Sequence, residues 1–273
     1  MGTAGLGLLR LHRSGDTSAA RIIRDELAAV LSRIDDPPND QDVLGEALDL
    51  TTGYSRWSAV YDQPGNPIIE HEQPVVWELL DSLPGEPVLD AACGTGRHLH
   101  HLLSAGRQAL GVDSTPAMLG QARGKAQDID LRHGDLAALP VENSSVAGAV
   151  CALALEHLAD LAAAYAELAR VVAPGGWVVT STTHPTIRTV LGWGAWFIDQ
   201  CGRGEVPTYP QQVSDHLNAA INAGLTLVSC HEPVIEDETA QRMAWPEIAN
   251  GATAALRGVP IILVCHFAKP GRT

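Results

Sequence analysis

The run Val88-Leu89-Asp90-Ala91-Ala92-Cys93-Gly94-Thr95-Gly96 constrains this chain more than any other segment. It reads as an apolar strand that ends in an acid and opens into a glycine turn, and Arg97-His98-Leu99-His100-His101-Leu102-Leu103 follows as a helix start. Glycines at 94 and 96 let the backbone approach a ligand with no Cβ in the way, and a helix N-terminus directly behind such a turn presents free N–H groups. Strand, tight turn and helix start together predict a nucleotide-type site. The dinucleotide form of this turn needs a third glycine three residues after the second, where this chain has Leu99.

Three later strand ends add chemistry in a fixed order. Ala109-Leu110-Gly111-Val112 closes on Asp113, where a carboxylate accepts both hydroxyls of a ribose. Met118, one turn into the next helix, offers a flat apolar contact for an adenine face. Ile129-Asp130-Leu131-Arg132 runs into His133-Gly134-Asp135-Leu136, which puts another acid within reach of an exocyclic amine. Val146 to Leu153 is a fourth strand, ending at Glu156-His157. Asp90 suits a ligand with a free α-amino group, because a carboxylate receives hydrogen bonds from an ammonium. S-adenosylmethionine carries that group and NAD does not.

On Asp90 to Gly96, Asp113, Gly134-Asp135-Leu136 and Leu155-Glu156-His157-Leu158, the chain resembles the class I S-adenosylmethionine-dependent methyltransferases, in their small-molecule, type 11/25-like branch. The resemblance runs from about Gly53 to the C-terminus, and departs from the family pattern in a fourth strand with no leading Asp. It implies that Asp90 and the glycine turn, with Ala91, Gly94 and Gly96, hold the methionine part, Asp113 the ribose, and Asp135 with Leu136 the adenine. Ser114, Met118, Gly134 and Ala152 complete the expected cofactor set.

The expected fold is α/β: a doubly wound, seven-stranded, mostly parallel Rossmann-like sheet with an antiparallel last strand. Trp177 to Thr182 reads as the fifth strand, and Leu225 to Glu232 with Val259 to Phe267 as the last two. Ser214 is the expected N-cap of a helix over Asp215 to Ala223. Residues 1–50 form an N-terminal extension ahead of a methyltransferase domain over 51–273, with a lid insert at about 184–213. Residues 1 to about 15 read as disordered, and Thr17 to Ile34 as an amphipathic helix ended by Asp35-Asp36-Pro37-Pro38-Asn39-Asp40. That helix caps the site, packs on its own chain or pairs with a second subunit in a homodimer.

Aromatic residues are scarce, six Trp, four Tyr and two Phe, so their placement is informative. Tyr54, Trp57 and Tyr61 precede the core, and Trp193, Trp196, Phe197 and Tyr209 lie in the insert. They are the candidate substrate-binding set, a lid that excludes water and shapes an apolar pocket; ordinary loop packing is the alternative. Methyl transfer from a sulfonium is mainly a matter of positioning, and a base is needed only where the acceptor must lose a proton. His157 and His184 are candidates for that base, with Glu156 as the carboxylate alternative. His98 and His101 stand one helical turn apart, but with no third ligand in view the pair reads as a solvated helix face and no metal is expected.

A net charge of −14 disfavours nucleic acid as partner. Five cysteines without Cys-x-x-Cys spacing read as small hydrophobes, no apolar run reaches membrane-span length, and a cytoplasmic location is expected. The function these features imply is methyl transfer from S-adenosylmethionine to an oxygen, nitrogen or carbon of an apolar or aromatic small molecule, in bacterial natural-product biosynthesis. The alternatives are a pericyclic catalyst or non-catalytic subunit of the same fold, and an NAD-dependent oxidoreductase.

Overall fold

A computed structural model describes residues 2–33, 45–125, 129–244 and 246–271; Ile34 and the Asp35 to Asp40 stop lie outside them. The chain divides into two compact units, Met1–Leu44 with Pro233–Ile261, and Gly45–Glu232 with Ile262–Thr273.

The smaller unit opens with α1 (Gly2–Ser14) and α2 (Thr17–Leu31). Asp16 caps α2, its carboxylate accepting the Ala19 N–H at 2.9 Å. The helical α1 corrects the expectation of disorder. Three glycines weaken its local helix propensity, but one of them, Gly7, lets it approach another helix closely, and packing outweighs propensity.

The larger unit begins with β1 (Glu46–Ala47), α3 (Leu50–Trp57) and α4 (Pro67–Ser82). Its main body follows as β2 (Val88–Ala91), α5 (Arg97–Ser104), β3 (Ala109–Asp113), α6 (Pro116–Lys125), β4 (Asp130–His133), β5 (Val146–Ala152), α7 (Ala162–Val171) and β6 (Val172–Thr183). Then come α8 (Pro185–Leu191), a hairpin of β7 (Ala195–Asp199) and β8 (Gly202–Val206), α9 (Val213–Asn222), β9 (Thr226–His231) and β10 (Ile262–Ala268). The seven-stranded sheet has the order β4-β3-β2-β5-β6-β10-β9. β10 runs antiparallel to both neighbours, and the pairs from β4 to β6 are parallel. β2 is buried along its whole length, as a strand covered on both faces must be.

From β2 the chain winds outward one way through β3 and β4, then restarts at β5 and winds the other way. The crevice between the C-terminal ends of β2 and β5 is therefore the switch point at which open α/β sheets bind ligands. A second sheet, β1-β8-β7, is built by the insert and the strand before α3. Two local expectations change. The fifth strand runs back to Val172, and α9 starts at Val213 with Gln212 as its N-cap in place of Ser214, the Asp215 carboxylate at N3 accepting the Gln212 N–H at 2.7 Å.

The smaller unit closes with α10 (Asp237–Met243) and α11 (Ala249–Leu256). A Cβ on Gly7 would lie 2.4 Å from the Gly251 carbonyl oxygen, so this crossing of α1 on α11 admits no side chain at residue 7. Ala4, Ile23, Ile248 and Ala252 form the unit's core, with Leu27 and Val30 against it, so the apolar seam of α2 packs on its own chain. Among the described residues no helix is long and apolar enough to cross a membrane. Cys93, Cys151 and Cys265 are buried as expected; Cys230, on the outer strand β9, is exposed together with Cys201.

Candidate functional site

Two residues directly beyond the switch-point strands adopt the left-handed conformation: Ala92 after β2 (φ 58°) and Leu153 after β5 (φ 51°). Non-glycine residues rarely hold it, and such strain gathers where a backbone is shaped for a ligand. Gly94 (φ 53°) and Gly96 (φ 79°) continue the turn into α5. A cavity opens over it, walled by Gly94, Asp113, Ser114 and Met118 on the β2–β3 side and by Gly134, Asp135, Leu136 and Ala152 beyond. Eight expected cofactor residues therefore share one cavity.

Asp113 organises its floor. Its Oδ2 accepts the Gly94 N–H and its Oδ1 the Thr115 N–H, each at 2.8 Å. Burial raises its pKa, and the two backbone donors oppose that shift. A carboxylate has about four lone-pair sites, so two donors leave acceptor capacity for a diol. Asp135 is exposed, and its Oδ1 accepts the Ala137 N–H at 2.7 Å.

Asp90, Ala91 and Gly96 support the turn without lining the cavity. Asp90 Oδ2 accepts the Leu99 N–H at 2.9 Å, which supplies a cap to a helix whose own N-cap, Gly96, has no side chain to offer. Burial pushes the Asp90 carboxyl up to about 7.

The sequence reading missed the polar group beneath α5. Glu72 of α4 is fully buried; Arg97 Nη1 donates to its Oε2 at 2.6 Å and Ser181 Oγ to its Oε1 at 2.9 Å. His98 is buried as well, not on a solvated face, with Nε2 3.1 Å from Glu72 Oε1 but out of line for a hydrogen bond. Arg97 and His98 both line the cavity, and Arg97 Nε with both His98 ring nitrogens lack partners. His101 stacks on Trp77 at 4.2 Å, and the described residues hold no His/Cys/Asp/Glu group suited to a metal.

Of the three candidate bases, His157 alone lines the cavity. Its Nδ1 lies 2.7 Å from the Pro207 carbonyl oxygen and its Nε2 2.7 Å from the Tyr54 hydroxyl. Glu156 turns into the sheet, where its carboxylate accepts Thr182 Oγ1–H at 3.0 Å and Thr183 Oγ1–H at 3.2 Å. His184 caps α8, its Nδ1 accepting the Thr186 N–H at 3.1 Å, and its Nε2 is 2.8 Å from Glu232 Oε1. Neither side chain faces the cavity.

Within the expected substrate set, Tyr54 and Tyr61 line the cavity beside Leu50 and Leu158. Trp57 lies behind them, 5.4 Å from each tyrosine ring and stacked on Phe197 at 5.2 Å. Trp57 and Phe197 thus join the insert to α3 as a small core, and the Arg56–Asp199 ion pair at 2.8 Å braces the same contact. Trp196 is exposed over Arg203, Tyr209 is exposed, and Trp193 is half-buried away from the cavity. The aromatic segments meet, but two tyrosines alone present rings to the cavity.

Residues 89–180 match a family model described as a methyltransferase domain. The chain is 33% identical over 133 residues to a malonyl-[acyl-carrier protein] O-methyltransferase of Yersinia pestis, covering 49% of this chain and 49% of that protein. It is 34% identical over 113 residues to a demethylmenaquinone methyltransferase of Renibacterium salmoninarum, covering 41% and 48% respectively. The chain thus spans about half the length of these curated relatives. A solved S-adenosylmethionine-dependent methyltransferase from Mesorhizobium loti superposes with a TM-score of 0.54 at 25% identity, over 71% of this chain and 96% of that one.

Proposed function

Because this chain belongs to the class I S-adenosylmethionine-dependent methyltransferases, we propose that it transfers a methyl group to an apolar, aromatic-flanked small molecule of the kind made in bacterial secondary metabolism. One observation carries the reading. The cavity at the β2–β5 switch point is walled both by the acid-and-glycine set and by Tyr54, Tyr61 and His157, the residues we assign to the acceptor.

The donor set suits the cofactor. The Gly94 turn admits a chain passing close to the backbone, Asp113 has lone pairs for a ribose diol, and Asp135 and Met118 suit an adenine edge and face. Arg97, which lines the cavity with its buried Nε lacking a partner, is a donor suited to a carboxylate. Asp90 acts from beneath by holding α5 and the turn in register. When bound, S-adenosylmethionine supplies an activated methyl, and the protein's part is to orient an acceptor against it and to exclude water, a contribution of up to ~7–11 kcal/mol.

Calorimetric titration with S-adenosylhomocysteine and with NAD tests the cofactor half. Binding of the first and not the second is expected, and the reverse overturns the reading. Incubation of the loaded chain with methyl-labelled S-adenosylmethionine and cell extract tests the transfer: a labelled small molecule is expected, and binding without any labelled product favours the non-methylating alternative.

A further inference from the structure

We propose that Tyr54 and His157 form a proton relay at the acceptor end of the cavity, so that the molecule methylated there carries a phenol-like hydroxyl. The proposal rests on the methyltransferase reading and deepens it.

The direction of the relay follows from the partners. A carbonyl oxygen only accepts, so the 2.7 Å contact with Pro207 assigns the imidazole hydrogen to Nδ1. Nε2 of the neutral ring then carries a lone pair, and the Tyr54 hydroxyl donates to it at 2.7 Å. The rings meet edge to face, centroids 5.3 Å apart. With its hydrogen committed to His157, the Tyr54 oxygen can accept a hydrogen bond from a group in the cavity. Tyr54 is no base by itself: burial, reinforced by Tyr61, Glu156 and Asp113, raises its pKa well above the usual phenol value. It can pass a proton on, and His157 can receive one.

The tautomer is set by the segment that leaves the insert. Besides the Pro207 contact, the Tyr209 N–H donates to the Glu156 carbonyl at 2.8 Å, and Gln211 Nε2 donates to the carbonyls of Leu155 and Leu158 at 3.0 and 2.7 Å. Residues 207–211 are therefore tied to the turn Leu155–His157 along its length. Pro207 and Gln211 are positioning residues.

The step balances. The acceptor hydroxyl gives its proton to the Tyr54 oxygen as the Tyr54 proton moves to His157 Nε2. The acceptor oxygen bonds to the methyl carbon while the carbon–sulfur bond breaks with its electron pair to sulfur, and the positive charge lost there appears on the imidazolium. A carboxylic acid is already ionised near pH 7 and needs no relay, and an electron-rich carbon needs none before attack. A phenol-like hydroxyl presented from the cavity to the Tyr54 oxygen is the acceptor that uses it.

The test uses the full chain saturated with S-adenosylhomocysteine, and p-nitrophenol as the probe, whose phenolate absorbs in the visible. Below the free probe's midpoint, the wild type is expected to raise the ionised fraction of bound probe by about tenfold, one pKa step in ΔG. Tyr54→Phe and His157→Gln are expected to bind the probe without that rise. An equal ionised fraction in the wild type and Tyr54→Phe overturns the relay, as does failure of the probe to bind the saturated chain. Failure of S-adenosylhomocysteine itself to bind overturns the underlying reading and the relay with it. Nitrogen-15 spectra give a probe-free check: the hydrogen of His157 is expected on Nδ1, and finding it on Nε2 overturns the proposal.

Discussion

Glu72→Gln should destabilise the larger unit by about 3 kcal/mol near pH 7, and two independent routes give that figure. Burial works against the Glu72 charge, but His98 and the Arg97 guanidinium outweigh it and hold the carboxyl at about 2 instead of 4.5. A difference of 2.5 units, 4.5 less 2, corresponds by linkage to about 3 kcal/mol. Removing one member of a buried ion pair costs about 3–5 kcal/mol, because the partner is left buried without compensation. Arg97 would be that partner, with Nε already lacking a bond. The sign follows from a depressed carboxyl pKa: the stabilisation is complete above the unfolded carboxyl's range and is lost as pH falls from about 4.5 towards 2. Urea unfolding of wild type and variant should therefore differ by about 3 kcal/mol near pH 7 and by about half that or less near pH 3. The double variant Glu72→Gln/Arg97→Leu should recover much of the loss. A difference below about 1 kcal/mol near pH 7, or one that does not shrink on acidification, refutes the argument.

Asp113→Asn removes one acceptor oxygen from a floor that serves the Gly94 and Thr115 N–H groups. S-adenosylhomocysteine affinity should fall by about 1.5–3 kcal/mol, and unchanged calorimetric affinity would withdraw the ribose role. Ala92→Gly relieves a left-handed alanine (φ 58°) and should raise stability by up to about 1 kcal/mol in denaturant titration, with a loss counting against strain at that position. Gly251→Leu drives a side chain into Ala4, 2.7 Å from where its Cβ would sit. It should destabilise the smaller unit by about 1–3 kcal/mol and expose α1 and α11 to limited proteolysis; unaltered protection would mean the helices tolerate separation.

The parts of this molecule that a linear reading recovers are those whose physics is local. The turn from Asp90 to Gly96 is legible because positive φ and backbone approach demand glycine in place, and β2, β3 and β5 because buried parallel strands read as continuous apolar runs. α1 is not legible in the sequence because it packs through the Gly7–Gly251 approach, a contact between distant segments that propensity does not register. Helical spacing alone places His98 on a solvated face, because it says nothing of Glu72 on another helix. Glu156 and His184 stand at strand ends as expected, but side-chain direction depends on neighbours: Thr182 and Thr183 draw the first into the sheet, and Thr186 and Glu232 hold the second. For the same reason Trp57 and Phe197 stack on each other instead of facing the cavity.

On the proposed reading, cofactor and acceptor recognition draw on different stretches of this chain. The matched segment, 89–180, holds Gly94, Asp113, Asp135 and His157. The proposed acceptor wall draws on Leu50, Tyr54 and Tyr61 before that segment, and the tautomer of His157 on Pro207 after it. His157 is the point where the two sets meet, since it stands within the matched segment but takes its hydrogen position from the insert. Changes confined to residues 207–211 should therefore alter which proton the site can accept while leaving the Asp113 floor intact, a separation that lets the acceptor diverge without rebuilding the cofactor site.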